Sequence, residues 1–219
     1  MGGKDSKINK LREFIERYKE VIVKPVDSAL GNGVFKLKAS DANAIDELEQ
    51  GVKDGHSYLL EEIVKNHPVI KAFHPSSLNT VRMVTCIDSK GDFHIVSSLI
   101  RIGSGDAVID NAKGGGMMCP IYPDNGIICG DAYDMSGHRY KRHPDSDLLF
   151  VGTQIPRWNE VLDYTEKLAR HVTYARYVGW DIVITENGID VLEGNIPAGE
   201  NITQIARGEG VYEELKSYV

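Results

Sequence analysis

The sequence predicts an α+β fold built mostly from antiparallel strands, and three observations predict it. Short runs rich in β-branched and aromatic residues (VIVKP, VFKLK, SYLLEEIV, NTVRMVT) are bounded by Gly, Pro, Asn and Asp at strand spacing. The first two runs are joined by a turn-rich loop, giving strand–loop–strand and not the strand–loop–helix of a Walker A or dinucleotide fold. Near the C terminus, GWDIVITENGIDVLEGN sets two apolar runs on either side of Glu186-Asn187-Gly188, the pattern of a β-hairpin.

In chain order, Leu11, Phe14, Ile15 and Tyr18 recur at helical spacing among charged residues, which predicts an amphipathic helix over 6–20. Residues 21–25 form a strand with a Pro stop, 26–33 a loop, and 34–38 a second strand. Ser40-Asp41 supplies a cap for a helix reaching Gly51, and 57–64 reads as a third strand. Lys65-Asn66-His67-Pro68 is expected to be a hinge, dividing an N-terminal subdomain at 1–65 from a C-terminal one at 66–219. A short helix over 69–73 precedes strands at 80–87 and 93–102, with weaker strands at 117–122 and 126–133. Val161, Leu162, Leu168, Ala169 and Val172 form the apolar stripe of a helix over 156–177. The hairpin and a short helix over 211–218 close the chain.

Composition excludes several classes. With 219 residues, 42% hydrophobic, the chain can bury a sizeable core and is not intrinsically disordered. A formal net charge of -7 argues against broad binding to a nucleic-acid backbone, which rests on clustered Lys and Arg. No apolar run reaches the roughly eighteen residues of a membrane span, and the first ten residues lack the apolar core of a signal peptide. Cys86, Cys119 and Cys129 cannot all pair within one chain and show no zinc spacing, so they are expected as reduced thiols in a cytoplasmic protein.

The register of the hairpin decides whether it can hold a metal. A three-residue turn with Gly188 left-handed pairs Thr185 with Ile189 and sets Asp181 opposite Glu193, with Asn195 on the same face. A two-residue Asn-Gly turn instead sends Asp181 and Glu193 to opposite faces. In the first register two carboxylates and an amide converge, a hard donor set suited to Mg²⁺; in the second they are solvated polar residues.

Lys24 ends an apolar strand, and Gly31 and Gly33 follow within ten residues. Glycines let backbone N–H groups turn toward an anion and a nearby ammonium adds charge, although a lone GNG also serves as a plain turn. Glu61-Glu62-Ile63-Val64 ends a strand just before the expected hinge, where free backbone groups can pair with an adenine edge; the alternative is two exposed acids. Arg82 and Arg101 lie in successive strands, either in structural ion pairs or facing a transferring phosphoryl group.

Taken in order, VIVKP, the glycine loop, EEIV, NTVRMVT, DNAKGGG and GWDIVITENGIDVLEGN resemble the ATP-grasp superfamily of carboxylate–amine ligases over nearly the whole chain. HPSSLNTVRMVT, VIDNAKGGG and QIPRW look most like its sugar-transfer-associated group, with ribosomal-protein glutamate ligases as more distant cousins. The resemblance implies an ATP-grasp fold in which two α+β subdomains sandwich ATP. It also implies an amide- or peptide-forming ligase that passes through an acyl phosphate and releases ADP and phosphate. The implied cofactors are ATP and Mg²⁺, with two ions.

By residue, the resemblance places Lys24, Ser28, Gly31 and Gly33 on the triphosphate, Gly31 and Gly33 as its lid, and Glu61, Glu62, Ile63 and Val64 at the adenine. It makes Asp181, Glu193 and Asn195 the metal triad and turns Arg82 and Arg101 toward the γ-phosphate and acyl phosphate. Asn79, Asp110, Asn111 and Gly115 would line the acceptor side. The implied substrates are a small carboxylate and an amine of amino-acid or sugar-acid kind. Because such enzymes usually carry a further N-terminal α/β domain, the chain is expected to be a fragment or a short form completed by a partner. A phosphotransferase, or a nucleotide-binding module without turnover, is the alternative.

Overall fold

The structure, a computed structural model, describes residues 2–27, 33–105 and 116–218. The chain divides into two compact units, Met1–Val64 and Lys65–Val219. Ser28 and Gly31 of the glycine loop, and Asp110, Asn111 and Gly115 of the acceptor segment, lie outside the described residues.

In the smaller unit, helix α1 (Gly2–Tyr18) leads to β1 (Glu20–Pro25) and β2 (Phe35–Lys38), followed by α2 (Ala42–Asp54) and β3 (Tyr58–Glu62). The strands form an antiparallel sheet in the order β2-β1-β3. Alternation within the strands turns Val21, Val23 and Leu37 toward Leu11, Ile15 and Leu48 of the helices, and these six residues are the unit's core. Arg12 of α1 is ion-paired to the buried Glu49 of α2.

Helix α2 starts where expected, at Asp41, whose side chain accepts a hydrogen bond from the Ala44 amide. It does not stop at Gly51. The stop is Gly55, left-handed at φ 104°, with its N–H bonded back to the Gly51 and Val52 carbonyls. Gly51 instead makes room for the Tyr58 ring, because a Cβ there would collide with the phenol.

The larger unit contains α3 (Pro68–Lys71), β4 (Thr80–Ile87), β5 (Phe93–Ile102), β6 (Met117–Pro120), β7 (Ala132–Tyr133) and β8 (Arg139–Tyr140). These are followed by α4 (Trp158–His171), β9 (Tyr177–Ile184), β10 (Ile189–Asn195), α5 (Glu200–Arg207) and α6 (Tyr212–Ser217). Among the described residues seven strands make one sheet, β10-β9-β4-β5-β6-β7-β8, in which every named pair is antiparallel.

One sheet face carries Val81, Met83, Ile100, Trp180 and Ile182 against Trp158 and Val161 of α4 and against the stacked rings of Phe73 and Phe150. Each such side chain, fully buried, contributes roughly 1.5–3 kcal/mol. The opposite face is only partly apolar. Leu99 and Met118 pack on Ile202 and Ile205 of α5, and Val84 and Val96 pack on Ala198 and Val211. The rest of this second face is polar and carries Arg82, Arg101 and Asp181.

Two expectations are corrected here. The strand over 126–133 shrinks to Ala132–Tyr133, because Gly126 is left-handed and Ile127 and Ile128 pair only through isolated bridges. The helix over 156–177 runs only from Trp158 to His171: Arg157, at φ 56°, is its N-cap, and Tyr177 already begins β9. Helix α5 and strand β8 were not foreseen. The Asn66 side chain bonds both ways with the Asn79 backbone (2.7 and 2.8 Å), and the His67 amide donates to the Ile184 carbonyl, so residues 66–67 are anchored to the larger unit.

Candidate functional site

The polar site grows out of the central strands of the larger sheet. Arg82 on β4 stands directly opposite Asp181 on β9, and Asp181 stands opposite Glu193 on β10. Glu193 reaches that place by an unexpected route. At the turn Ile189 pairs with Ile184, so four residues form the loop and Gly188 is not left-handed. Thr185 closes the loop, its N–H and hydroxyl both bonding to the Gly188 carbonyl. The register then shifts at Leu192, where a bulge lets Glu193 face Asp181.

Asn195 lies on the same face, its Nδ2 donating to Asp181 Oδ2 (3.3 Å) and Glu193 Oε1 (3.2 Å). Of the two registers the sequence left open, the three side chains share a face as in the first, but through a four-residue turn and a bulge that neither contained. Alternation alone cannot reveal a bulge.

Asp181 is the electrostatic centre. Its carboxylate accepts a forked pair from Arg82, Nε to Oδ1 at 2.5 Å and Nη2 to Oδ2 at 2.8 Å, and both oxygens also receive Arg101 Nη1, at 3.2 and 3.1 Å. Asp181 and Arg82 are only 3% and 5% exposed, so this is a buried charge network. Burial alone would raise the Asp181 carboxyl, but the Arg82 hydrogen bond and the two guanidinium charges outweigh it and hold the group below its ordinary value. Arg82 also donates from Nη1 to the Ala198 carbonyl, which ties the site to the segment entering α5.

In the smaller unit, Lys24 and Glu61 lie on the sheet face away from the core and form an ion pair, Nζ to Oε2 at 2.5 Å. Both side chains are about one-third exposed. Glu62 ends β3, and Ile63 and Val64 lie just beyond it. Gly33, left-handed at φ 72°, precedes β2.

Asn79 has a different place from the one expected. It is buried, its Oδ1 accepts from Ser77 Oγ and the Gly103 amide, and its Nδ2 donates to the Ile70 and His74 carbonyls. Its polar atoms are spent inside the protein, so it braces strand ends and does not line an acceptor surface. The part played by Ala198 is not legible in the sequence, because a backbone carbonyl leaves no signal in residue identity.

A profile of the sugar-transfer-associated ATP-grasp family matches residues 2–218. The chain belongs to that family. No curated protein is significantly similar to it in sequence.

Among solved structures, D-alanyl-alanine synthetase A from Vibrio cholerae O1 biovar eltor superposes with a TM-score of 0.56 at 12% identity, over 97% of this chain and 55% of the other. The ADP complex of N5-carboxyaminoimidazole ribonucleotide synthetase superposes at 0.52 with 13% identity, over 92% and 44%. The chain thus spans about half the length of the solved structures it matches. These likenesses establish the ATP-grasp fold for the chain.

The two carboxylates on this sheet face are hard donors of the kind Mg²⁺ takes, the Asn195 amide turned over would add its oxygen to them, and the Glu193 carboxylate is exposed on the outermost strand. Among the described residues no group of three or more His, Cys, Asp or Glu gathers as a metal cage, here or elsewhere. The donor set fits an ion that completes its shell with water and phosphate oxygens. No helix among the described residues is long and apolar enough to cross a membrane.

Proposed function

We propose that the chain acts as an ATP-dependent carboxylate–amine ligase, forming an amide or peptide bond through an acyl phosphate and releasing ADP and phosphate. The observation that carries this reading is the cluster of Arg82, Arg101, Asp181, Glu193 and Asn195 on one sheet face of an ATP-grasp fold. Phosphoryl transfer asks little covalent chemistry of a protein. It asks for positioning and for positive charge where the transferred oxygens crowd.

In this reading Arg82 and Arg101 neutralise the transferred group. Asp181 holds both guanidiniums ready and is itself held ionised by them. Glu193, Asn195 and Asp181 would hold Mg²⁺, which when bound supplies charge neutralisation to the nucleotide phosphates. The Lys24 ammonium, parked on Glu61, is the counter-charge offered by the smaller unit to a phosphate. Gly31, Gly33, Ser28 and the Glu61–Val64 strand end complete the nucleotide side, and Asp110, Asn111 and Gly115 the acceptor side. The acid and amine are small molecules or peptides.

Incubation with Mg²⁺, ATP and mixtures of amino acids or sugar acids with amines tests the reading. ADP and phosphate should appear together, and only when a carboxylate and an amine are both present. AMP and pyrophosphate as products would overturn it, and ADP without phosphate would indicate a phosphotransferase.

A further inference from the structure

The QIPRW run, residues 154–158, meets the β9–β10 hairpin at its turn. Arg157 Nη1 donates to the Glu186 carbonyl at 3.1 Å and Nη2 to the Asn187 carbonyl at 3.4 Å. Nε and Nη2 also reach Glu160 Oε2, at 3.1 and 2.9 Å. The guanidinium is thus fixed from behind by a carboxylate and spans two successive carbonyls of the loop.

Its base is rigid. Ile155 donates its N–H to the Gly126 carbonyl at 2.9 Å, and the buried Trp158 lies on Gly126 with its indole N–H on the Pro123 carbonyl at 2.7 Å. Arg157 itself stands at φ 56°, a left-handed backbone that glycine adopts freely and a residue with a Cβ does not. What arginine offers there and glycine lacks is the guanidinium.

The turn that Arg157 holds is not the one its own residues favour. Asn-Gly is a preferred pair for a two-residue type I′ turn, which needs positive φ at both positions. Such a turn would pair Glu186 with Ile189, Ile184 with Val191 and Ile182 with Glu193, two residues out of step with the observed pairing at the turn. Because that shift is even, Ile189 and Val191 would still face the main core, so the apolar pattern does not choose between the registers. The acids do register the difference. In the two-residue register Glu193 would fall on the core face, opposite Ile182, and Asp181 would stand opposite Gly194.

The observed four-residue loop, with its bulge at Leu192, keeps Ile189 and Val191 inward and still brings Glu193 and Asn195 round to Asp181. Three contacts favour it. Thr185 and Gly188 close the loop from within, and Gly194 lies against the Trp180 ring, where a Cβ would stand 2.8 Å from a ring carbon. Arg157 holds the loop from outside.

We propose that Arg157 is a positioning residue: by clamping the Glu186 and Asn187 carbonyls it selects the bulged register in which Glu193 and Asn195 face Asp181. It acts on the hairpin and not on the reacting groups. The choice of register rests on no functional assignment; its consequence for a metal ion rests on the ligase reading.

Nuclear Overhauser contacts across the hairpin, with Mn²⁺ titration of the full chain, test it. The parent should pair Asp181 with Glu193. Arg157→Gln should lose that pairing, gain direct pairing of Asp181 with Gly194, and bind Mn²⁺ about tenfold more weakly, the lower end of what supporting contacts contribute to metal affinity. Gly188→Ala is the control that a merely structural role would not answer. Gly188 is not left-handed and the space at its Cβ is open, so alanine fits the observed loop and penalises the type I′ turn. Added to Arg157→Gln, it should restore both the Asp181–Glu193 pairing and the parental affinity.

Parental pairing in Arg157→Gln, or a double variant that stays slipped, overturns the clamp. If Arg157→Gln does not fold, the double variant should; a double variant that also fails assigns Arg157 to the stability of α4 and overturns the clamp too. A slipped register with unchanged Mn²⁺ affinity overturns the positioning role. If the pairings change as expected while the parent binds no Mn²⁺, the metal part of the ligase reading fails and the clamp stands.

Discussion

Gly179 shows how far one missing atom reaches into the site. It sits on β9 two residues before Asp181, and a Cβ there would lie 3.0 Å from the Ala198 carbonyl oxygen and 3.2 Å from Arg82 Nη1, two atoms already bonded to each other. Gly179→Ala should therefore displace Arg82 and cost about 1–3 kcal/mol through overpacking. Chemical denaturation measures the stability loss, and an ADP assay should show a rate lowered at least tenfold. Asp181→Asn acts on charge instead. It leaves two guanidiniums, one of them buried, without their carboxylate, and breaking a buried pair by removing one partner costs about 3–5 kcal/mol. The double variant Arg82→Met with Asp181→Leu should recover much of that stability and none of the activity; an Asp181→Asn protein as stable as the parent would refute the network. Sequence reasoning chose both residues but gave them separate tasks. Their pairing across 99 residues depends on β4 lying beside β9, which no local pattern encodes.

At the scale of elements, long periodic runs were legible and short irregular ones were not. The strands Thr80–Ile87 and Phe93–Ile102 match their expected bounds because each is a continuous β-branched, apolar run. Helix α5 was missed because Glu200–Arg207 has only eight residues and its stripe, Ile202 and Ile205 on Leu99 and Met118, is too brief to stand out. Its two boundary glycines, Gly199 and Gly208, both left-handed, were the available signal. Helix α6 is held at its end by a cluster centred on Asp88. That carboxylate bonds His94, whose ring stacks on Tyr218 at 4.2 Å, while the Ser89 amide bonds the Tyr218 carbonyl. The His94 hydrogen bond, followed by the Asp92 and Lys90 amides, lowers Asp88 to about 2. A depressed carboxyl contributes stability that is complete above its unfolded value of about 3.9 and lost as pH falls toward 2. Protection of the Ser89 amide should decline across that interval, and Asp88→Asn should remove the pH dependence.

At the scale of the molecule, the two units differ in how much core each can build. Among the described residues the smaller gathers six apolar side chains into its core cluster, from two helices and a three-stranded sheet, whereas the larger gathers twenty in its main cluster and more beneath α5 and α6. A chain of about 60 residues hides only about 60% of the surface it exposes when unfolded, against about 70% at 150 residues, so the burden of stability falls unequally. The boundary after Val64 also leaves Asn66 and His67 on the side to which their hydrogen bonds belong. Residues 65–219 produced alone should therefore fold, with one cooperative thermal transition and a buried Trp180 whose indole still bonds Thr85. Residues 1–64 alone should melt over a broad range or fail to fold, because α1 and α2 share a core only a few side chains deep and the Arg12–Glu49 pair cannot replace it. Circular dichroism and tryptophan fluorescence on the two fragments decide this. The larger fragment retains Arg82, Arg101, Asp181, Glu193 and Asn195, so Mn²⁺ titrated into it should broaden the Glu193 and Asn195 NMR signals first, and broadening that spares β10 would remove the metal from this hairpin.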